Sequence, residues 1–437
     1  MNVDHESMAV TEAGGGDTAS PAAGQTGIVA VAQGLLRRPL ASYYLLLGSA
    51  TLLLAIGLIM VLSASSIDSI VHNGSAFTVF IQQATSAGVG LVAFCVAVMM
   101  RPTWFRWLAY PLLLASLALL TLLWLRPSVA VGREALWLQV GPITVQPSEV
   151  AKLALVLWGA DVLIRKRPLL AQWRQLAIPL FPVAGVMLLL VGYKDLGTML
   201  CLLIVLCGLV WVSGVQFRML LGLSAAAMAG VVMLIGSSQH RLERISSFLN
   251  PFADAQNTGH QAVQGLYALS TGGLWGVGLG QSRSKWEYVP EAHNDFIFAI
   301  IGEELGLLGC IVVIALYAVL TYSAMRIARR ITDQYCRLVA ATCAMWLAGQ
   351  SFINMGAVVG ILPITGIPLP LISSGGSSLV ITMFTVGMLA TFARAEPDAV
   401  TALRARGSTY WIKMWTKMWA VPPKPPKAAK TSRATRS

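Results

Sequence analysis

Long apolar runs, separated by short polar segments, dominate the chain. Most have roughly 17–25 residues, the length that an α-helix needs to cross a bilayer. They are continuous rather than alternating, which excludes a transmembrane β-barrel. The pattern predicts about ten spans, near residues 41–63, 78–100, 107–125, 148–164, 176–192, 196–213, 218–236, 296–325, 335–357 and 376–394. The chain is therefore predicted to be an all-α polytopic integral membrane protein.

Composition agrees with a membrane protein. Of the 437 residues, 56% are hydrophobic and only 11% are charged, whereas a soluble domain has about 25% charged residues. The largest segment between two spans, about residues 237–294, joins the seventh to the eighth. Its glycines and small apolar residues predict short helices or re-entrant backbone rather than a separate domain.

The positive charges predict the orientation. With the N-terminus in the cytoplasm, 23 of the 31 lysines and arginines fall on the cytoplasmic side, as the positive-inside rule requires. The net charge of +12 is then explained without a nucleic-acid partner. Both termini are predicted to be cytoplasmic and the 237–294 loop extracytoplasmic.

Three regions follow from these patterns. Residues 1–36 are rich in small and polar residues and are predicted to form a disordered cytoplasmic tail. Residues 37–394 form the ten-helix membrane domain, and residues 395–437 a basic cytoplasmic tail. This tail contains an interfacial amphipathic helix, with Trp411, Met414, Trp415, Met418 and Trp419 on one face and Lys413 and Lys417 on the other.

Two pairs of charges lie at the predicted outer ends of spans. Glu149 and Lys152 are three residues apart and share a helix face. They either neutralise each other near lipid or line a functional cavity, because charges within the membrane more often face a cavity or partner. Lys194 and Asp195 are adjacent, and Asp195 is favoured as a helix cap.

A proline-rich segment separates the last two spans. Its three prolines, at positions 363, 368 and 370, interrupt helical structure. Ser374, Gly375, Gly376 and Ser377 follow, just before a helix whose N-terminus would attract phosphate. An ordinary Gly/Ser turn explains the same run equally well.

The densest polar chemistry lies at residues 285–295, where the large loop enters the eighth span. Lys285, Glu287, Glu291 and His293 precede Asp295. Asp295 is either the N-cap of the following helix or a carboxylate near a low-dielectric wall that serves as a general base.

Two further carboxylates, Glu303 and Glu304, lie inside the eighth span, on the order of 12 Å below Asp295. Buried carboxylates need partners, which Lys152 or a metal ion could supply.

Five segments together resemble the SEDS family (shape, elongation, division and sporulation proteins), and its division branch most closely. They keep the family's order and spacing, and the resemblance extends over about residues 40–394. The segments are residues 146–152, 194–198, 288–298, 302–306 and 368–378.

The resemblance implies a glycosyltransferase that polymerises lipid II into peptidoglycan strands and releases undecaprenyl pyrophosphate. The family's essential aspartate falls on Asp295, which would be the catalytic base. Lys152 and the backbone near Gly375 and Gly376 would suit pyrophosphate. The expected substrate-binding residues are Glu149, Lys152, Lys285, Glu287, His293, Ser374, Gly375, Gly376 and Ser377. No organic cofactor and no metal-ligating residue is expected, although a divalent cation, Mg²⁺ or Mn²⁺, is compatible with the reaction.

The resemblance also implies partners and a location. The partners are a class B penicillin-binding protein with transpeptidase activity and divisome regulators. The location is the bacterial inner (plasma) membrane at the division septum. Three alternatives stay open: an elongation-branch polymerase, which shares the motifs, a lipid II transporter, and a non-catalytic divisome scaffold. Polar residues gather toward the outer face rather than the midplane, which favours chemistry over transport.

The orientation can be tested by thiol labelling in intact cells, in a variant whose native cysteines are replaced by serine. We expect a membrane-impermeant reagent to label Ser246→Cys from outside and Arg329→Cys only after permeabilisation. The reverse pattern would invert the orientation.

Overall fold

The computed structural model describes residue 34 and residues 38–126, 130–131, 136–140, 143–167, 173–254, 259–283 and 293–405. The helices are α1 (Ala41–Asn73), α2 (Thr78–Met99), α3 (Pro102–Leu125), α4 (Pro147–Arg165), α5 (Trp173–Gly192), α6 (Leu196–Val212), α7 (Phe217–Gly236), α8 (Gln239–Leu249), α9 (His260–Gly272), α10 (Ile297–Arg330), α11 (Gln334–Val358), α12 (Gly376–Arg394) and α13 (Pro397–Ala405). The predicted amphipathic helix at 411–419, and the predicted N-terminal tail except residue 34, lie outside the described residues.

The predicted all-α membrane fold is confirmed. Each of the ten predicted spans falls on a helix, namely α1 to α7 and α10 to α12. Among the described residues, seven helices are long and apolar enough to cross a membrane. The other three fall short because α4 carries four charged side chains, α6 has only 17 residues, and the apolar part of α5 is limited to Ile178–Gly192.

Helix α4 is the central element of the bundle. It starts at Pro147, which suits the first helical turn, and it is buried along almost its whole length. Helices α3, α6 and α11 surround it. Its predicted outer end carries Glu149 and Lys152, and its other end carries Asp161. By contrast, none of the described residues 217–236, which form α7, is buried, so α7 lies at the edge of the bundle.

The predicted cytoplasmic end of α4 is held by an ion cluster that the sequence analysis did not find. The fully buried Asp161 carboxylate accepts hydrogen bonds from Arg106, from Arg165 at 2.7 Å and from the Tyr110 hydroxyl at 2.7 Å. Helices α3 and α4 are thereby tied together at the end opposite to Glu149.

A small antiparallel sheet precedes α4 and was not predicted. Its strands are β1 (Ala130–Val131), β2 (Trp137–Val140) and β3 (Ile143–Val145), in the order β1-β2-β3. In the register, Leu138 pairs with both Ala130 and Val145. Strand β3 also contacts α12, so the sheet joins the two helices that begin at Pro147 and Gly376.

Helix α10 is broken at Gly306, where φ is +67°, a conformation that favours glycine. The irregular segment after α9 bonds into this break. The amide of Val277 donates to the Glu303 carbonyl at 2.9 Å, and the amide of Leu307 donates to the Gly273 carbonyl at 2.9 Å. Backbone groups freed by the break are therefore paired within the protein, as an apolar environment demands.

The large loop between α7 and α10 contains the predicted short helices, α8 and α9, together with this bonded segment. Leu274 and Trp275 of the segment are exposed on its surface. The loop therefore reaches the depth of the eighth span without crossing the bundle as a regular helix.

The close approach of Gly276 to α10 generates a prediction. A Cβ at position 276 would lie 2.2 Å from the Glu304 carbonyl oxygen, and φ there is +80°. We expect Gly276→Ala to cost about 1–3 kcal/mol of stability, from overpacking, and to lower the thermal unfolding midpoint in detergent. Gly222→Ala is the control, because nothing lies within 4 Å of its Cβ position. Equal midpoints for the two variants would contradict the packing argument.

Candidate active site

The segment at residues 359–375, between α11 and α12, brings the predicted site residues together. Its prolines leave it irregular, yet much of it is buried. Side chains satisfy its backbone, as buried polar groups require. Gln350 donates to the Pro368 carbonyl at 2.9 Å, Asn354 donates to the Ile367 carbonyl at 2.7 Å, and Gln83 donates to the Ser373 carbonyl at 3.0 Å. We call this segment the proline loop.

Glu149 and Lys152 form the predicted pair on one face of α4. The Lys152 Nζ atom lies 2.9 Å from Glu149 Oε1, 2.9 Å from Gln350 Oε1 and 5.2 Å from the centre of the Trp346 ring. The Lys152 side chain is fully buried and that of Glu149 is 1% exposed. The pair is thus a closed, hydrogen-bonded ion pair that is linked to the proline loop through Gln350.

Lys152, one of the two partners considered for Glu303 and Glu304, is not their partner, because it pairs with Glu149 instead. Glu304 accepts from the Ser63 hydroxyl on α1, at 2.6 and 2.8 Å to its two oxygens. Glu303 accepts from the Ser282 hydroxyl at 2.6 Å and from the Arg283 amide at 2.9 Å. Both glutamates are 1% exposed, and neutral donors from α1 and the large loop hold them.

Asp295 lies in the turn before α10. That helix begins at Ile297 with Phe296 in the capping position, so the interpretation of Asp295 as its N-cap was wrong. The Asp295 side chain is half-buried. Its Oδ2 atom lies 3.4 Å from the position of a Cβ on Gly366, and its backbone carbonyl accepts a hydrogen bond from Asn354 at 2.8 Å. The carboxylate therefore lies against the proline loop.

The predicted cap at Asp195 is confirmed. Asp195 is the N-cap of α6 and accepts from the Thr198 amide at 2.9 Å, and Lys194 donates to the Leu123 carbonyl at 3.1 Å. The first turn of α6 also touches the proline loop, because a Cβ on Gly197 would lie 2.2 Å from the Thr365 carbonyl oxygen. The capped end of α6 therefore contacts the loop residue next to Gly366, which Asp295 approaches.

The Ser/Gly run adjoins Asp295 through His293. The Ser374 amide donates to the His293 carbonyl at 3.1 Å. Gly375 is the N-cap of α12 and Gly376 its first residue. The Ser377 hydroxyl is buried and accepts from the Gln146 amide at 3.1 Å. Ser377 thus joins α12 to the start of α4, while Ser374 and Gly376 remain half-buried.

Two predicted site residues, Lys285 and Glu287, lie outside the described residues. The structure thus brings Glu149, Lys152, His293, Asp295 and the 374–377 run around one loop. Within the described ranges, no group of three histidines, cysteines, aspartates or glutamates could hold a metal ion. A divalent cation stays a prediction.

Sequence reasoning missed Gln350 and Asn354, which link the proline loop to Lys152 and Asp295. The sequence feature that could have revealed them is a pair of amide side chains four residues apart, on the same face of an otherwise apolar helix. Buried amides in such a helix need partners, and a neighbouring irregular loop supplies carbonyls.

Comparisons with known proteins agree on one family. The model of a family described as "Cell cycle protein", which groups FtsW, RodA and SpoVE, matches residues 43–397. A Mycobacterium tuberculosis protein named probable peptidoglycan glycosyltransferase FtsW is 44% identical over 375 residues, covering 85% of this chain and 71% of the relative. The Bacillus subtilis stage V sporulation protein E is 37% identical, covering 78% and 94%.

Solved structures show the same fold. One comes from a study described as structural coordination of polymerization and crosslinking by a peptidoglycan synthase complex. It has a TM-score of 0.65 and 28% identity, covering 80% of this chain and 96% of that one. The Thermus thermophilus rod shape determining protein RodA has a TM-score of 0.59 and 26% identity, covering 81% and 97%.

Variants of Glu149 and Lys152 can show whether the pair only neutralises two buried charges or also contributes to the site. Glu149→Leu leaves the Lys152 charge without its counter-ion and should cost about 3–5 kcal/mol, whereas the double variant with Lys152→Met should regain most of that stability. If the pair contributes to the site, the double variant remains poorly active in strand synthesis from lipid II. Full activity in a stable double variant would leave the pair with a structural role only.

Proposed function

The chain belongs to the SEDS family of cell cycle proteins, and we propose that this peptidoglycan glycosyltransferase polymerises lipid II into glycan strands during septal wall synthesis. The division assignment is supported by the relatives named FtsW, the first of which are 44% identical over most of the chain. The multi-pass membrane fold suits a substrate that carries a lipid anchor.

Asp295 is the general base in this proposal, and its accessibility is the observation that carries it. A base has to come within hydrogen-bond reach of the proton that it removes. Glu149, Glu303 and Glu304 are each 1% exposed. Glu149 pairs with Lys152 of its own helix, Glu303 binds Ser282 and Glu304 binds Ser63, while Asp195 caps α6. Asp295 is instead half-buried beside the proline loop. Its Oδ1 atom is buried, so the proposal requires the substrate to approach the other oxygen of the carboxylate.

One base is sufficient for the proposed glycosyl transfer. Asp295 accepts the proton from a hydroxyl of the acceptor sugar. That oxygen forms a bond to the anomeric carbon of the donor, and the bond from this carbon to the pyrophosphate oxygen breaks. The electron pair leaves with undecaprenyl pyrophosphate. A positioned base contributes roughly 100-fold to 10,000-fold to such a rate.

The leaving pyrophosphate needs a positive environment. Lys152 and the backbone at Gly375 and Gly376, where α12 begins, are proposed to supply it. Lys152 is enclosed by Glu149, Gln350 and Trp346, so direct contact requires the proline loop to move. Lys285, Glu287, His293, Ser374 and Ser377 complete the proposed substrate-binding set.

The proposed partner is a class B penicillin-binding protein, whose transpeptidase would crosslink the new strands. The support is a structural neighbour that belongs to a peptidoglycan synthase complex in which polymerization and crosslinking are coordinated. Divisome regulators, a septal location and cytoplasmic termini belong to the same proposal.

Strand synthesis from purified lipid II by the protein with its partner tests the base. We expect Asp295→Ala and Asp295→Asn to lower the rate at least 100-fold, because neither side chain can accept the proton. Asp398→Asn removes an exposed carboxylate that pairs with Arg330 after the last span, and it should keep the wild-type rate.

Wild-type rates in both Asp295 variants would eliminate Asp295 as the base. A wild-type protein that binds its partner but makes no strands would favour the scaffold alternative. If it then moved lipid II across vesicle membranes, transport would be favoured instead.

A further inference from the structure

Two buried amides on α11 connect the proline loop to the two charged centres of the site. Gln350 is 1% exposed and Asn354 is 3% exposed. They are four residues apart, so they lie on the same face of the helix, one turn from each other. Both donate to carbonyls of adjacent residues of the loop, Gln350 to Pro368 and Asn354 to Ile367.

Gln350 positions the Lys152 ammonium group. Its Oε1 atom accepts from Lys152 Nζ at 2.9 Å and from the Trp346 indole N–H at 2.8 Å, while its Nε2 atom donates to the Pro368 carbonyl at 2.9 Å. The amide orientation is fixed because two donors approach the oxygen and a carbonyl approaches the nitrogen.

Asn354 holds the base. Its Nδ2 atom donates to the Asp295 carbonyl at 2.8 Å and to the Ile367 carbonyl at 2.7 Å. Both partners are acceptors, which again fixes the orientation of the amide. The Oδ1 atom of Asn354 is buried and has no donor among the described residues. The amide is therefore oriented by the bridge between the turn that carries Asp295 and the loop.

We propose that Gln350 and Asn354 are positioning residues with separate roles, Gln350 for Lys152 and Asn354 for Asp295. The proposal rests on the glycosyltransferase function given above. Neither amide touches the reacting atoms. Asn354 sets where the base stands relative to Gly366, and Gln350 sets where the ammonium stands relative to Pro368.

The separation of roles follows from the geometry. Removing one amide leaves the neighbouring loop residue bonded to the other amide, so the loop keeps one of these two side-chain hydrogen bonds from α11. Beyond its loop carbonyl, an Asn354 variant loses the contact with Asp295, whereas a Gln350 variant loses the contacts with Lys152 and with the Trp346 indole of its own helix. Misplacing a base by about 1 Å can cost roughly 100-fold in rate, whereas loosening a cation that binds substrate weakens binding.

Initial rates of strand synthesis measured against lipid II concentration distinguish these effects. We expect Asn354→Leu to lower the maximal rate roughly 100-fold with little change in KM. Gln350→Met should raise KM roughly tenfold with little change in the maximal rate, because it removes a hydrogen bond to a charged group. A partial rate for Asn354→Ser, whose hydroxyl can donate to one carbonyl only, would support the bridge.

The matched control lies on the same helix. Thr342 is fully buried, and among the described contacts its hydroxyl bonds only to the Leu338 carbonyl of its own helix. Thr342→Val therefore removes a buried hydrogen-bond donor from α11, as the Gln350 and Asn354 variants do, but one that does not reach the site. It should keep both kinetic constants. All variants are compared after size-exclusion chromatography and partner binding, and Asn354→Ser replaces Asn354→Leu if the latter does not fold.

Three results would overturn the inference. One is a wild-type maximal rate in both Asn354 variants, and another is the same change of both constants in Gln350→Met and Asn354→Leu. The third is a change in Thr342→Val as large as that in Asn354→Leu. The Asp295→Ala variant distinguishes failure of the positioning role from failure of the proposed glycosyltransferase function. If Asp295→Ala is inactive while Asn354→Leu is fully active, only the positioning role is lost.

Discussion

The structure depends on hydrogen bonds that pair buried backbone carbonyls of an irregular loop with side chains of an apolar bundle. The proline loop cannot form helical hydrogen bonds, and water is excluded from much of it, so side chains from other helices must supply the partners. Gln350, Asn354 and Gln83 do so. Gln350 and Asn354 also bond to Lys152 and to the Asp295 carbonyl. The residues that pair the loop backbone therefore also assemble the site.

The break in α10 follows the same rule. Gly306 interrupts the helix, and the freed carbonyl of Glu303 and amide of Leu307 bond to the segment after α9. The Glu303 side chain then holds the Ser282 hydroxyl and the Arg283 amide. Ser282 and Arg283 are thus held by Glu303, and Asp295 by Asn354.

The role of each acidic side chain follows from how deeply it is buried. Those with exposures near 1% are bonded within the protein: Glu149 pairs with Lys152 of its own helix, and Glu304 accepts from Ser63 and so joins α10 to α1. Asp195 uses its carboxylate to cap α6. Asp295 alone among these combines partial exposure with a position between α10, α11 and the proline loop. A residue's chemistry here is set by what surrounds it rather than by its type.

The sequence by itself determined the spans, because length and continuous hydrophobicity are local properties. It also predicted the Asp195 cap and placed Glu149 and Lys152 on one helix face, since both depend on spacing within one helix; that the two pair with each other was one of two alternatives. Only the tertiary structure decided the partners of Glu303 and Glu304, the non-capping position of Asp295, and the roles of Gln350 and Asn354. Those contacts join residues that are far apart in the chain, and which distant donors meet a buried acceptor depends on how the helices pack.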